Sequence, residues 1–221
     1  MRVMIHRRAA ILALAGAGLA VALPGTARAQ AQPVRIVALG DSLTAGFGLA
    51  GSAAFPAQLE RALKARGHAV AIQNAGVSGD TASGGAARVE WSVPDGTDGV
   101  ILELGANDML RGTDPGVTKQ ALESIISRLR ARRIEVLLCG MRALPNLGAA
   151  YGRSFEAIYS ELAGKYGLLF YPFFLNNVIT KPALMLNDGL HPNAEGVATI
   201  VAGILAKAES LVARARLRRA A

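Results

Sequence analysis

VRIVALGDSLTAG, residues Val34–Gly46, passes from an apolar run into a polar turn rich in glycine. An apolar run bounded by Gly reads as a buried strand, and Asp and Ser just after it favour a helix start. The same pattern recurs along the chain. Ala69–Gln73, Val100–Leu104, Ile134–Cys139 and Leu168–Tyr171 are four more strand candidates. Helical patterns lie between them. Ala53–Arg66 places Phe55, Leu59, Ala62 and Leu63 on one face, and a second helix covers roughly Thr81–Val89. Asp114-Pro115 opens a third, with Asp as cap and Pro in the first turn. Its apolar stripe is Val117, Ala121, Leu122, Ile125, Ile126 and Leu129. Phe155–Tyr166 and Ala194–Val212 complete the set, the last turning Val197, Ile200, Val201, Ile204, Leu205 and Ala208 inward. Strands alternating with helices of this length predict an α/β fold with a parallel sheet covered on both faces. Sites in such sheets form at the carboxyl ends of the strands.

The chain has 221 residues, and its beginning follows a different logic. Arg2, Arg7 and Arg8 precede an apolar stretch, Ile11–Leu23, and the small-residue site Ala27-Arg28-Ala29. That order of basic, apolar and A-x-A segments predicts a signal peptide over residues 1–29, cleaved after Ala29, and ordinary export to the periplasm. The remainder, 30–221, is long enough for one domain with a sizeable core. Removing four arginines and no acids takes the net charge from +8 to +4. Much of that excess lies in RARLRR, Arg214–Arg219, read as a solvated helix end or frayed tail. The basic residues are not interleaved with aromatics and no reader motif is present, so nucleic acid is not expected as a partner. The 13-residue apolar stretch is too short for a comfortable span, so no stable membrane insertion is expected. Cys139 is the only cysteine, which excludes an intramolecular disulfide, and its apolar neighbours make it a buried strand residue.

The chemistry-bearing residues belong after the strands. GDSLTAG follows the first, NAGVSGDT (Asn74–Thr81) the second and GANDML (Gly105–Leu110) the third. DGLHPN (Asp188–Asn193) precedes the last helix. Ser42 is the nucleophile candidate, although Thr44 stands where the G-x-S-x-G elbow requires Gly. A serine hydroxyl needs a base to take its proton, and imidazole does so near neutral pH. His68 sits in a helix-to-strand turn at the wrong edge, which leaves His191 as the base. Asp188, three residues earlier, can hold the imidazole in one tautomer. The Ser42 N–H, the Gly79 N–H and the Asn107 amide are the candidate donors for an oxyanion. Each residue alone has an ordinary turn or capping role; the four segments together carry the inference.

These blocks resemble those of the SGNH/GDSL hydrolases: GDSLTAG, Gly79 in VSGDT, GAND and DGLHP stand in the family's order. ELGANDMLRG, FEAIYSELAGKYG and YPFFLNNV add a likeness to the bacterial arylesterase and multifunctional thioesterase/lysophospholipase group. The resemblance implies a flavodoxin-like α/β/α sandwich with five parallel strands. It implies Ser42, His191 and Asp188 as catalytic residues, with Ser42, Gly79 and Asn107 forming the oxyanion hole, and neither cofactor nor metal. Two departures stand out. Ala106 replaces the usual Gly, and the loop Met141–Gly152 looks longer than in the thioesterases.

The expected substrate is a small acyl ester or thioester, a lysophospholipid among them. Asp41, Met109, Leu110 and Leu144 are candidates for contacting it. Two rival readings remain open at this level: a non-catalytic acyl- or glycan-binding protein, and an esterase for acetylated sugars. Low aromatic content, 5%, gives little support for a sugar-stacking platform.

Overall fold

In the computed structural model, which describes residues 32–220, five strands form one sheet. They are β1 (Val34–Gly40), β2 (Val70–Gly76), β3 (Gly99–Glu103), β4 (Glu135–Cys139) and β5 (Leu169–Tyr171). The order is β2-β1-β3-β4-β5, and every neighbouring pair is parallel. This is the flavodoxin-like order. Residues 1–29, expected to form a signal peptide, lie outside the described residues.

Among the described residues seven α-helices connect and cover the strands: α1 (Ser42–Ala45), α2 (Phe55–Ala65), α3 (Ala82–Ser92), α4 (Ala106–Leu110), α5 (Pro115–Ala131), α6 (Ala149–Tyr166) and α7 (Ala194–Ala220). α2 packs with α7, while α3 packs with α5 and α5 with α6. The central strands are therefore apolar almost throughout, with β3 buried along its whole length. Parallel strands sandwiched between helix layers have no polar face to present.

From β1 the chain goes to β2 on one side, then crosses back past β1 to β3 on the other. The segments that follow β1 and β3 diverge around a crevice at that reversal. Ser42 follows β1 and Asn107 follows β3, so the topology alone brings these two segments to one crevice.

Several boundaries differ from the sequence reading, each for a local reason. β2 continues to Gly76, because its backbone keeps pairing with β1 after the side chains turn polar. A Cβ on Gly76 would lie 2.2 Å from the Ala45 N, so the close approach of α1 to this edge requires glycine. α6 begins six residues before Phe155 and absorbs the last third of the expected loop. Tyr151 stacks on Phe155 one turn later and donates its hydroxyl to the Thr113 carbonyl at 2.9 Å, tying the early turn down. On α5, Val117 is 47% exposed, and the adjacent Thr118 is buried instead, its hydroxyl bound to Asp108.

The basic C-terminus is not a frayed tail. α7 runs to Ala220, and Arg218 and Arg219 pair with Glu135 and Asp98. Arg219 also donates to the carbonyls of Gln32 and Pro33, at 3.2 and 3.1 Å. The helix end thus grips the base of β1.

Candidate active site

Ser42 is the first residue of α1. Asp41 caps that helix, its Oδ1 accepting the Leu43 N–H at 2.9 Å. The turn therefore does what Asp and Ser do at any helix start, and it also holds the Ser42 side chain at the crevice. Ser42 is 9% exposed. Its Oγ lies 2.9 Å from His191 Nε2, and His191 Nδ1 lies 2.6 Å from Asp188 Oδ2. The loop that carries both partners is tightly wound. Asp188 Oδ1 accepts the backbone N–H groups of Leu190 and His191, at 2.9 and 3.0 Å. These donors, the His191 N–H first and then its ring, hold the Asp188 carboxyl down at about 2. It is thus ionised wherever the imidazole would need it. The Phe47 ring packs against the imidazole, 4.5 Å between centroids.

Ser42, Gly79 and Asn107 line the same cavity. Among the described residues neither the Ser42 N–H nor the Gly79 N–H has a hydrogen-bond partner. The Ser42 amide sits in the first turn of α1, where N–H groups lack intrahelical partners. Gly79 holds φ +81°, a backbone state that an L side chain rarely adopts, and a Cβ there would meet nothing within 4 Å. Its requirement for glycine is conformational, not steric. Asn107 was expected in a loop but stands on the one-turn helix α4. That helix starts from Gly105, at φ +116°, where a Cβ would collide with the Tyr159 hydroxyl. The Asn107 Nδ2 donates to the Asp80 carbonyl at 2.9 Å and to Asp41 Oδ2 at 3.2 Å.

Buried polar residues fix these segments relative to one another. Asp108 accepts from the Ala82 N–H at 2.8 Å and the Thr118 hydroxyl at 3.1 Å, joining α4 to α3 and α5. Arg88 pairs with Asp80 at 2.7 Å and donates to the carbonyls of Gly40 and Ala75, both at 2.8 Å. It clamps the ends of β1 and β2 to the loop that bears Gly79.

A cavity of about 580 Å³ opens beside Ser42, lined mainly by apolar side chains. Met109, Leu110 and Leu144 line it, as do Phe47, Phe173 and Leu190. Asp41 does not. Expected to contact substrate, it is fully buried beneath Ser42, because capping α1 turns its carboxylate inward. Burial lifts that carboxyl to about 6. His68 lies far along the chain from this loop, beside Glu209 at 3.4 Å. Cys139 is fully buried, and burial pushes its thiol well above the usual range, which makes it unreactive. Among the described residues no cluster of His, Cys, Asp and Glu is arranged to hold a metal.

Sequence reasoning passed over Glu103, the last residue of β3. A signal was present: VILEL places one carboxylate inside a run otherwise suited to a strand buried on both faces. Glu103 is fully buried, and burial together with the nearby Asp41 charge lifts it well above the ordinary carboxylate range.

Comparison with known proteins bears on this arrangement. The GDSL-like lipase/acylhydrolase family matches residues 38–198. An arylesterase of Vibrio mimicus is 40% identical over 177 residues, covering 78% of this chain and 88% of that protein. The thioesterase 1/protease 1/lysophospholipase L1 of Escherichia coli K12 is 39% identical over 171 residues, covering 77% and 80%. The crystal structure of AlinE4, an SGNH-hydrolase family esterase, superposes with a TM-score of 0.69 at 44% identity, covering 81% of this chain and 96% of that one.

Proposed function

We propose that this chain, which belongs to the GDSL-like lipase/acylhydrolase family, cleaves esters and thioesters through Ser42, His191 and Asp188. It is a serine hydrolase acting on ester bonds. One observation carries the mechanism: the unbroken path from Asp188 through His191 to Ser42, at 2.6 and 2.9 Å. His191 Nε2 takes the hydroxyl proton as Ser42 Oγ attacks the acyl carbon. Asp188 stabilises the imidazolium and keeps Nδ1–H directed at itself. The N–H groups of Ser42, Gly79 and Asn107 receive the developing oxyanion. His191 then protonates the departing alcohol or thiol, and water activated by the same imidazole releases the acid. The apolar cavity takes the acyl chain, which favours aliphatic and lysophospholipid substrates over acetylated sugars. Residues 1–29 act as a cleaved export signal, and the enzyme works in the periplasm.

The test is Ser42→Ala. It should lose fluorophosphonate labelling and hydrolyse p-nitrophenyl butyrate about 10⁶-fold more slowly. Retained turnover would sink the mechanism and revive a non-catalytic binding role. A panel of acyl lengths, thioesters and acetylated sugars then separates the substrate classes.

A further inference from the structure

Glu103 has no part in the chemistry above, yet it lies directly under the nucleophile. It pairs in register with Gly40, the residue before Asp41. Its Oε2 accepts the Thr44 hydroxyl at 2.7 Å and faces the Asp41 N–H at 3.4 Å. Its Oε1 is buried, and among the described residues it has no partner. The fit is close: a Cβ on Gly40 would come within 2.7 Å of Glu103 Oε2. A buried, half-satisfied carboxyl is unfavourable for folding, and an apolar residue would suit a core strand better.

Asp41 links this group to the site above it. One carboxylate oxygen receives the Leu43 N–H and the other receives the Asn107 amide. Two neighbouring buried carboxyls disfavour ionising together. Burial raises both, and the Asp41 charge raises Glu103 further.

We propose that Glu103 is a positioning residue for the oxyanion hole: it holds Thr44 on the nucleophile helix and the Asp41 N–H, and so seats the Asp41 carboxylate that receives the amide of Asn107. With Asp80 on one N–H and Asp41 on the other, the Asn107 amide plane is set before substrate arrives. This inference rests on the oxyanion role of Asn107 given above.

The experiment is a double-mutant cycle read as kcat and KM on p-nitrophenyl butyrate. Glu103→Leu should lower kcat about tenfold to hundredfold at unchanged KM, less than deleting the donor itself. In an Asn107→Ala background the same substitution should cost no further kcat. Glu103→Gln, which keeps an acceptor oxygen for the Thr44 hydroxyl and the Asp41 N–H, should restore most of the loss. An equal loss from Glu103→Leu in both backgrounds would overturn the proposal, as would a Gln variant no better than Leu. If the Leu variant does not fold, Thr44→Val in the same cycle reads the same link. Full kcat in Asn107→Ala alone would overturn the oxyanion reading and this inference with it, an outcome distinct from the other two.

Discussion

Asp188 and Asp41 stand on opposite sides of the Ser42–His191 pair. Asp188 lies at the surface, its side chain 35% exposed, with two backbone N–H groups and a ring nitrogen converging on it. Asp41 is sealed beneath the nucleophile against a second carboxyl. The same side chain sits at about 2 in one place and about 6 in the other. Converging donors win where water still screens the charge; burial wins where it does not. Asp188 is therefore available for its proposed role beside His191 at little cost to the fold. Asp41 serves geometry, and the fold bears the penalty.

The largest effect expected from this contrast is on rate. Asp188→Asn should lower kcat about 10⁴-fold by admitting the wrong tautomer of His191. A kcat loss under about tenfold would break the contrast from the Asp188 side.

A second effect concerns stability against pH, where the two groups have opposite signs. Asp41 binds its proton more tightly folded than unfolded, so it destabilises the fold as pH rises from about 4 to about 6. Over that interval the loss is on the order of 3 kcal/mol. Asp188 binds its proton less tightly when folded. Its contribution is present above about pH 4 and lost as pH falls towards 2. Urea midpoints at pH 4.5 and 7 should therefore converge in Asp41→Asn and diverge in the wild type. Equal pH dependence in both would show that burial of Asp41 is not what the fold pays for.

The smallest effect lies outside the site. Arg219→Ala removes an exposed pair with Asp98 and should cost about 1 kcal/mol or less, with kcat unchanged. A thermal midpoint measures it, and a larger drop would mean that the end of α7 holds β1 in place more firmly than exposed charges generally do.

Much of this was legible along the chain. The alternation of apolar runs and helical stripes yielded all five strands, and Asp114-Pro115 marked the start of α5 to the residue. Ser42, Gly79, Asn107, Asp188 and His191 were nameable as candidates from short local motifs, and the structure links Ser42, His191 and Asp188 by hydrogen bonds. Less legible were features whose cause is distant in sequence. β2 runs on to Gly76 because β1 pairs with it, and RARLRR is ordered because Asp98 and Glu135 receive its arginines. Asp41 was misplaced at the substrate surface for a similar reason. Which way a capping carboxylate faces depends on what lies beneath it, here Glu103, 62 residues away.

By itself, then, the sequence determined the α/β class, the five strands and the residues able to perform acyl transfer, since periodicity and side-chain chemistry are local properties. Only the tertiary structure decided that Asp41 is buried and Asp188 solvated, that the Asn107 amide is held from both sides, and that Glu103 completes the support of the nucleophile. Those outcomes follow from burial and from the meeting of chain ends at the β1/β3 crevice, and neither is written in any single stretch of residues.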